Sequence, residues 1–132
     1  MDHHEAFAVI NAGIAEATKL GVPMSIAVVD ARTDLVAQVR MDGAYRLTVD
    51  IARGKALVST IFLRSSGAVA DDNSVTRRLN ALNQDQLVFE KGAVPIFADG
   101  APAGAVGVSG GTPEMDEQVA EAAAAVKKGT DE

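Results

Sequence analysis

Ala103-Gly104-Ala105-Val106-Gly107-Val108-Ser109-Gly110-Gly111-Thr112-Pro113-Glu114-Met115-Asp116-Glu117 is the stretch on which the fold turns. Ala103 to Ser109 reads as a strand, and its glycines remove side chains, so another element packs closely over it. Thr112 is a good N-cap, and proline is favoured at the first helical position, so a helix begins at Pro113. Met115, Val119, Ala122 and Val126 are its expected buried face. Just upstream, Asp99-Gly100 signals a hairpin turn that needs positive φ. The strand it returns from is Val94 to Ala98, with Pro95 near its start, where a strand tolerates proline.

Outward from there, Leu87 to Glu90 predicts a further, weak strand. Ser25 to Asp30 is a short apolar run that predicts a strand buried on both faces. Arg32 to Asp34 supplies a turn, and Leu35, Ala37, Val39 and Met41 alternate with polar neighbours as a second, antiparallel strand. Three helical segments complete the reading. Phe7, Ile10, Ile14 and Ala17 fall at helical spacing after an Asp2–Glu5 capping-box pattern. Leu47, Ile51, Val58 and Phe62 form a stripe between Arg46 and Leu63. Val75, Leu79 and Leu82 suggest a short helix. The fold class is therefore α/β in the α+β sense: a mainly antiparallel, five-stranded sheet covered by helices. With 132 residues, no linker and no repeat, one domain over 1–132 is expected.

The absence of cysteine excludes disulfides, thiolate zinc sites and a cysteine nucleophile. A net charge of -6 repels phosphate backbones, and aromatics at 4% give no base-stacking platform, so nucleic acid is not an expected partner. No apolar run approaches the roughly 20 residues of a membrane helix. The start, Met1-Asp2-His3-His4-Glu5, lacks the pattern of a secretory signal, so a cytoplasmic location is expected.

The Ala103–Glu117 string is similar to the C-terminal signature of the GlcG/HbpS family, which also occurs as the C-terminal domain of PduO-type proteins. Gly21 to Asp30 resembles that family's first strand and its approach. Arg40 to Ala44, followed by Ile51 to Ala56, resembles its second strand and the following helix. The matches cover most of the chain in the right order. The resemblance implies a GlcG-like fold, homo-oligomers from dimer to octamer, and binding of haem or another small ligand. Two stretches depart from the family pattern. Arg64 to Gln86 is more charged and more helical than the usual glycine-rich loop, and Gly92-Ala93 stands where a glycine pair is usual.

Several residues offer chemistry. The Ser109-Gly110-Gly111-Thr112 turn presents backbone N–H groups that could cradle an anion at a helix start. A tight strand-to-helix connection explains the same residues, and Glu114 and Asp116 already supply negative charge there. Lys55 and Asp116 flank the buried stripes of their helices. A lysine so placed reaches water or needs a carboxylate partner, so the two are expected to approach each other, as a ligand-site ion pair or a structural salt bridge. Arg40 could clamp a carboxylate bidentately, whereas Arg32 reads as an exposed cross-strand charge. Haem needs an axial ligand. The only histidines are His3 and His4, which point about 100° apart on a helix and so cannot grip one iron from one face. Met24, Met41, Met115 and Tyr45 are weaker ligands, methionine in a core being more often packing.

The favoured function is a homo-oligomeric binding protein that holds haem or another small anionic ligand between helices and sheet. Room is expected where the glycine-rich strand and the last helix fold back beside the central helix. A second reading is an enzyme of small oxo- or hydroxy-acid catabolism, with Lys55 as acid or base tuned by Asp116, and with Arg40 or the Ser109–Thr112 amides on the carboxylate. A third is an accessory scaffold.

Overall fold

The computed structural model describes the backbone of residues 1–130 and the side chains of residues 1–126. Helix α1 (His3–Leu20) leads into strands β1 (Ser25–Asp30) and β2 (Leu35–Arg40). Helix α2 (Leu47–Phe62), a 3₁₀ turn (Ser66–Ala68) and helix α3 (Ser74–Leu82) follow. Strands β3 (Ala93–Ala98) and β4 (Ala101–Ser109) and helix α4 (Pro113–Thr130) complete the order.

Local chemistry sets the ends of these elements. Glu5 N–H donates to Asp2 Oδ1 at 2.8 Å, and Asp2 N–H donates to Glu5 Oε2 at 3.1 Å, a complete capping box for α1. Gly21, at φ +72°, ends that helix in the left-handed region. Asp99 and Gly100 both have positive φ, the geometry that suits a two-residue hairpin.

The sheet has four antiparallel strands in the order β2-β1-β4-β3, not five. Leu87 to Glu90 is not a strand. Leu87 N–H donates to Asn80 Oδ1 of α3 at 2.9 Å, and Val88 N–H donates to the Gly54 carbonyl of α2 at 3.3 Å. Its first two donors are spent on helices, so no ladder starts there.

Alternation along β1 and β4 sorts their side chains between two faces. Ile26, Val28, Val106 and Val108 join α1 and α4 in one core. Val29 and Ala105 join Ala56, Leu57 and Val58 of α2 in the other. Each fully buried aliphatic side chain there contributes about 1.5–3 kcal/mol. The molecule is thus three layers: α1 and α4, the sheet, then α2.

Two expectations change here. Helices α2 and α4 lie on opposite faces of the sheet, and protein fills the space beside the glycines of β4. A Cβ on Gly107 would overlap the Ala52 carbonyl oxygen of α2, so that glycine permits close helix–strand packing, not room for a guest. The buried face of α2 is also not the Leu47 stripe. Leu47 is 62% exposed, while Thr48, Ala52, Lys55, Ala56 and Ser59 are buried. From Gly54 to Thr60 every residue is buried. Gly54 admits the Gln86 carbonyl on the side away from the sheet, so the chain after α3 covers that side.

Among the described residues, no helix is long and apolar enough to cross a membrane.

Candidate functional site

Lys55 and Asp116 are each 3% exposed. Lys55 Nζ donates to Asp116 Oδ2 and to the Val108 carbonyl, each at 3.0 Å. The other carboxylate oxygen, Asp116 Oδ1, accepts Gly111 N–H at 2.8 Å. The lysine starts in the α2 layer and the aspartate in the α4 layer, so their bond joins the two outer layers at the level of the sheet. Gly92 makes the passage possible: a Cβ there would stand 2.6 Å from both Lys55 Nζ and the Val108 oxygen. One helical turn beyond Lys55, the hydroxyls of Ser59 and Thr60 are buried without a hydrogen-bond partner among the described residues. Such groups are rare in folded proteins.

The Ser109–Thr112 turn lies beside this pair. Ser109 is buried. Gly110 has φ +146°, and a Cβ on it would meet Pro23 O at 2.7 Å. Gly111 faces Met24 and Met115. Thr112 Oγ1 accepts Met115 N–H at 3.2 Å, which is the expected cap. The anion at the Gly111 amide is therefore the protein's own Asp116.

Arg40 sits at the exposed end of β2, where its Nη1 donates to Ala44 O at 2.8 Å. Ala44, Gly110 and Tyr45 line one cleft of about 260 Å³, so the Arg40 loop and the glycine turn share one end of the sheet. Tyr45 is 79% exposed. Met24 is fully buried in the α1/α4 core. Asp30 Oδ1 accepts Arg32 N–H at 2.9 Å and Asp34 N–H at 3.1 Å, so Asp30 shapes the β1–β2 turn.

His3 and His4 are elsewhere. Gly13 of α1 packs on Val119 and Ala123 of α4, while Gln118 bonds Glu16 at 2.9 Å, so the two helices run antiparallel. The histidines occupy the first turn of α1, whose 18 residues span about 27 Å. They are thus a helix length from Pro23, Gly110 and Arg40. Both are exposed, with ring centroids 4.0 Å apart. His3 meets Phe7 edge-on at 5.8 Å. Phe7, read at helical spacing with Ile10, Ile14 and Ala17, is 52% exposed, because Ala6, Val9, Ile10, Gly13 and Ala17 form the inner face of α1.

A further feature was not read from the sequence. Two clefts of about 360 and 450 Å³ lie along the side of α2 turned away from the sheet, and both are lined by Ile51 and Val88. The sequence signal for them was Gly54, a glycine inside a helical pattern.

With that geometry in view, comparison with known proteins is informative. The family described as "HbpS-like: Haem degrading protein HbpS-like" matches residues 1–125. An uncharacterized 15.0 kDa protein of the dhaT-dhaS intergenic region of Citrobacter freundii is 34% identical over 112 residues, 83% of this chain and 79% of that protein. The crystal structure of Klebsiella pneumoniae ORFY aligns with TM-score 0.86 and 28% identity over 97% of this chain and 90% of that one. The crystal structure of a PduOC:haem complex aligns with TM-score 0.84 and 25% identity, over 96% and 94% of the two chains.

Proposed function

This chain belongs to the HbpS-like family, and we propose that it is a haem-binding protein whose iron is held by the imidazole of His3 or His4. The observation that carries the placement is the exposed first turn of α1. There, two imidazoles stand beside Phe7, an aromatic ring the fold leaves half in water. Haem requires an axial ligand and an apolar surface for the porphyrin, and these residues fit both requirements. The solved haem complex of a relative with the same fold supports the same cofactor. When bound, haem would supply redox and ligand-exchange chemistry at its iron. The chain's own part is to present one imidazole nitrogen and to shield one porphyrin face with Phe7.

A porphyrin resting on an exposed helix leaves its second face to water. A second copy covering that face would complete the site, so the working form we propose is a homo-oligomer. An acid–base role for Lys55 and Asp116 is the second reading. One observation favours it: an ammonium has three N–H donors, and Lys55 Nζ has two acceptors here.

Titration of the purified protein with haemin tests the first reading. A saturable Soret shift is expected, with a fixed stoichiometry of one haem per chain or one per pair of chains, and it is weakened or lost in His3→Ala/His4→Ala. No shift in the parent protein would overturn the reading.

A further inference from the structure

We propose that the cleft between the start of α2 and the end of β4 binds a short carboxylic acid carrying a second, uncharged oxygen. Its carboxylate sits on Arg40 and the first amides of α2, and its second oxygen meets the hydroxyl of Ser109. The cleft lies a helix length from His3 and His4, so the inference stands apart from the haem reading.

The strand register brings these groups together. Ser25 of β1 is the ladder partner of both Arg40 in β2 and Ser109 in β4. Ladder partners project from the same face of a sheet. The Ser25 hydroxyl meets the Thr48 hydroxyl of α2 at 2.7 Å, so that face is the one α2 covers. Arg40, Ser25 and Ser109 therefore form one row across three adjacent strands, with neighbouring Cβ atoms about 5 Å apart. Thr48, bonded to Ser25, and Gly110, next after Ser109, both line the cleft. So does Ala44, whose carbonyl accepts one N–H of Arg40 at 2.8 Å. A ligand in the cleft thus has the guanidinium to one side and Ser109 to the other.

Two independent observations point to a ligand there. First, Ser109 is 6% exposed, and its hydroxyl has no hydrogen-bond partner among the described residues. The neighbouring hydroxyls are satisfied: Ser25 and Thr48 bond each other, and Thr48 Oγ1 donates to the Tyr45 carbonyl at 2.6 Å. A buried hydroxyl left unpaired is costly, and a ligand oxygen would pair it. Second, no side chain caps α2, and the N–H groups of Arg46 and Leu47 have no partner among the described residues. These amides form the positive end of a 16-residue helix, where a carboxylate is favoured. Asp50, the acid of that first turn, is two positions from Thr48 and so about 200° round the helix, where it lines a cleft on the outer side. The volume, about 260 Å³, is below the roughly 300–1,000 Å³ of sites for drug-sized ligands, which limits the guest to a short acid.

Arg40 is exposed, so binding is expected to be modest and to weaken with salt. Nitrogen–proton NMR titration of the whole, haem-free protein with 3-hydroxybutyrate, butyrate and 1,3-butanediol tests the proposal. Butyrate lacks the second oxygen, and 1,3-butanediol lacks the carboxylate. With 3-hydroxybutyrate, saturable shifts should centre on the amides of Arg46, Leu47 and Gly110. Its affinity should exceed that of either analogue at least about fivefold, the worth of one hydrogen bond. Ser109→Ala should abolish the preference over butyrate. Arg40→Gln, a surface change, should abolish the preference over 1,3-butanediol, and Arg40→Lys should retain part of it. The proposal is overturned by an absence of saturable shifts with 3-hydroxybutyrate, by shifts centred away from the cleft, by equal affinities for the three compounds, or by preferences unchanged in Arg40→Gln.

Discussion

Lys55 is the residue that most depends on its neighbours. Its ammonium is withdrawn from water, and among the described residues the Val108 carbonyl and the Asp116 carboxylate compensate. Removing one partner strands the other charge. Asp116→Ala or Lys55→Met should therefore cost about 3–5 kcal/mol, read as a fall in the urea midpoint. Lys55→Met combined with Asp116→Leu should recover most of that loss, because a buried pair replaced by apolar groups is often nearly neutral. Additive losses in the double variant would contradict this account of the pair. The positions of both residues at stripe edges were legible in the sequence. The capture of Gly111 N–H by Asp116 was not, because it depends on the turn geometry between β4 and α4.

At the scale of elements, α2 shows how packing overrides pattern. Its strongest hydrophobic stripe includes Leu47, yet the helix turns Thr48, Ala52 and Ala56 inward. Small residues are needed there because Gly107 of β4 lies against the helix backbone. Strong β residues at Leu87 to Phe89 suggested a strand for a related reason: their composition suits a sheet, but the Leu87 and Val88 N–H groups are taken by Asn80 and Gly54. The hairpins and the caps, whose signals are local, were legible. Gly54→Ala tests the packing of this segment. Alanine is better in a helix by about 1 kcal/mol, but its Cβ would overlap the Gln86 carbonyl and stand 2.6 Å from Val88 Cγ2. A lower thermal midpoint is expected; a higher one would contradict the docking of residues 84–88 on α2. The cap of α1 makes a second prediction. The Glu5 N–H bond holds the Asp2 carboxyl below its ordinary pKa, with the nearby histidines adding to the effect and desolvation opposing it. A lowered folded pKa stabilises the fold above the unfolded value, and that contribution is lost as pH falls through the lowered value. The stability difference between the parent protein and Asp2→Ala should shrink as pH falls below about pH 4.

At the scale of the whole molecule, three layers divide the chemistry between two ends. Arg40 and the glycine turn share one end, near the Lys55–Asp116 bond, whereas His3 and His4 lie a helix length away at the other. The layered α+β class was legible from alternation and hairpin signals. The separation of the two groups was not, because it follows from the antiparallel packing of α1 on α4. The central functional claim is that an α1 imidazole ligates haem iron. Electron paramagnetic resonance of the haem-loaded ferric protein, prepared with nitrogen-labelled histidine, reads that ligand directly. The chain's 2 histidines, His3 and His4, both open α1, so a label-dependent signal comes from its first turn. The label should alter the nitrogen couplings at the iron, and the altered spectrum should disappear in His3→Ala/His4→Ala. A spectrum insensitive to the label, and identical in the double variant, would contradict the claim.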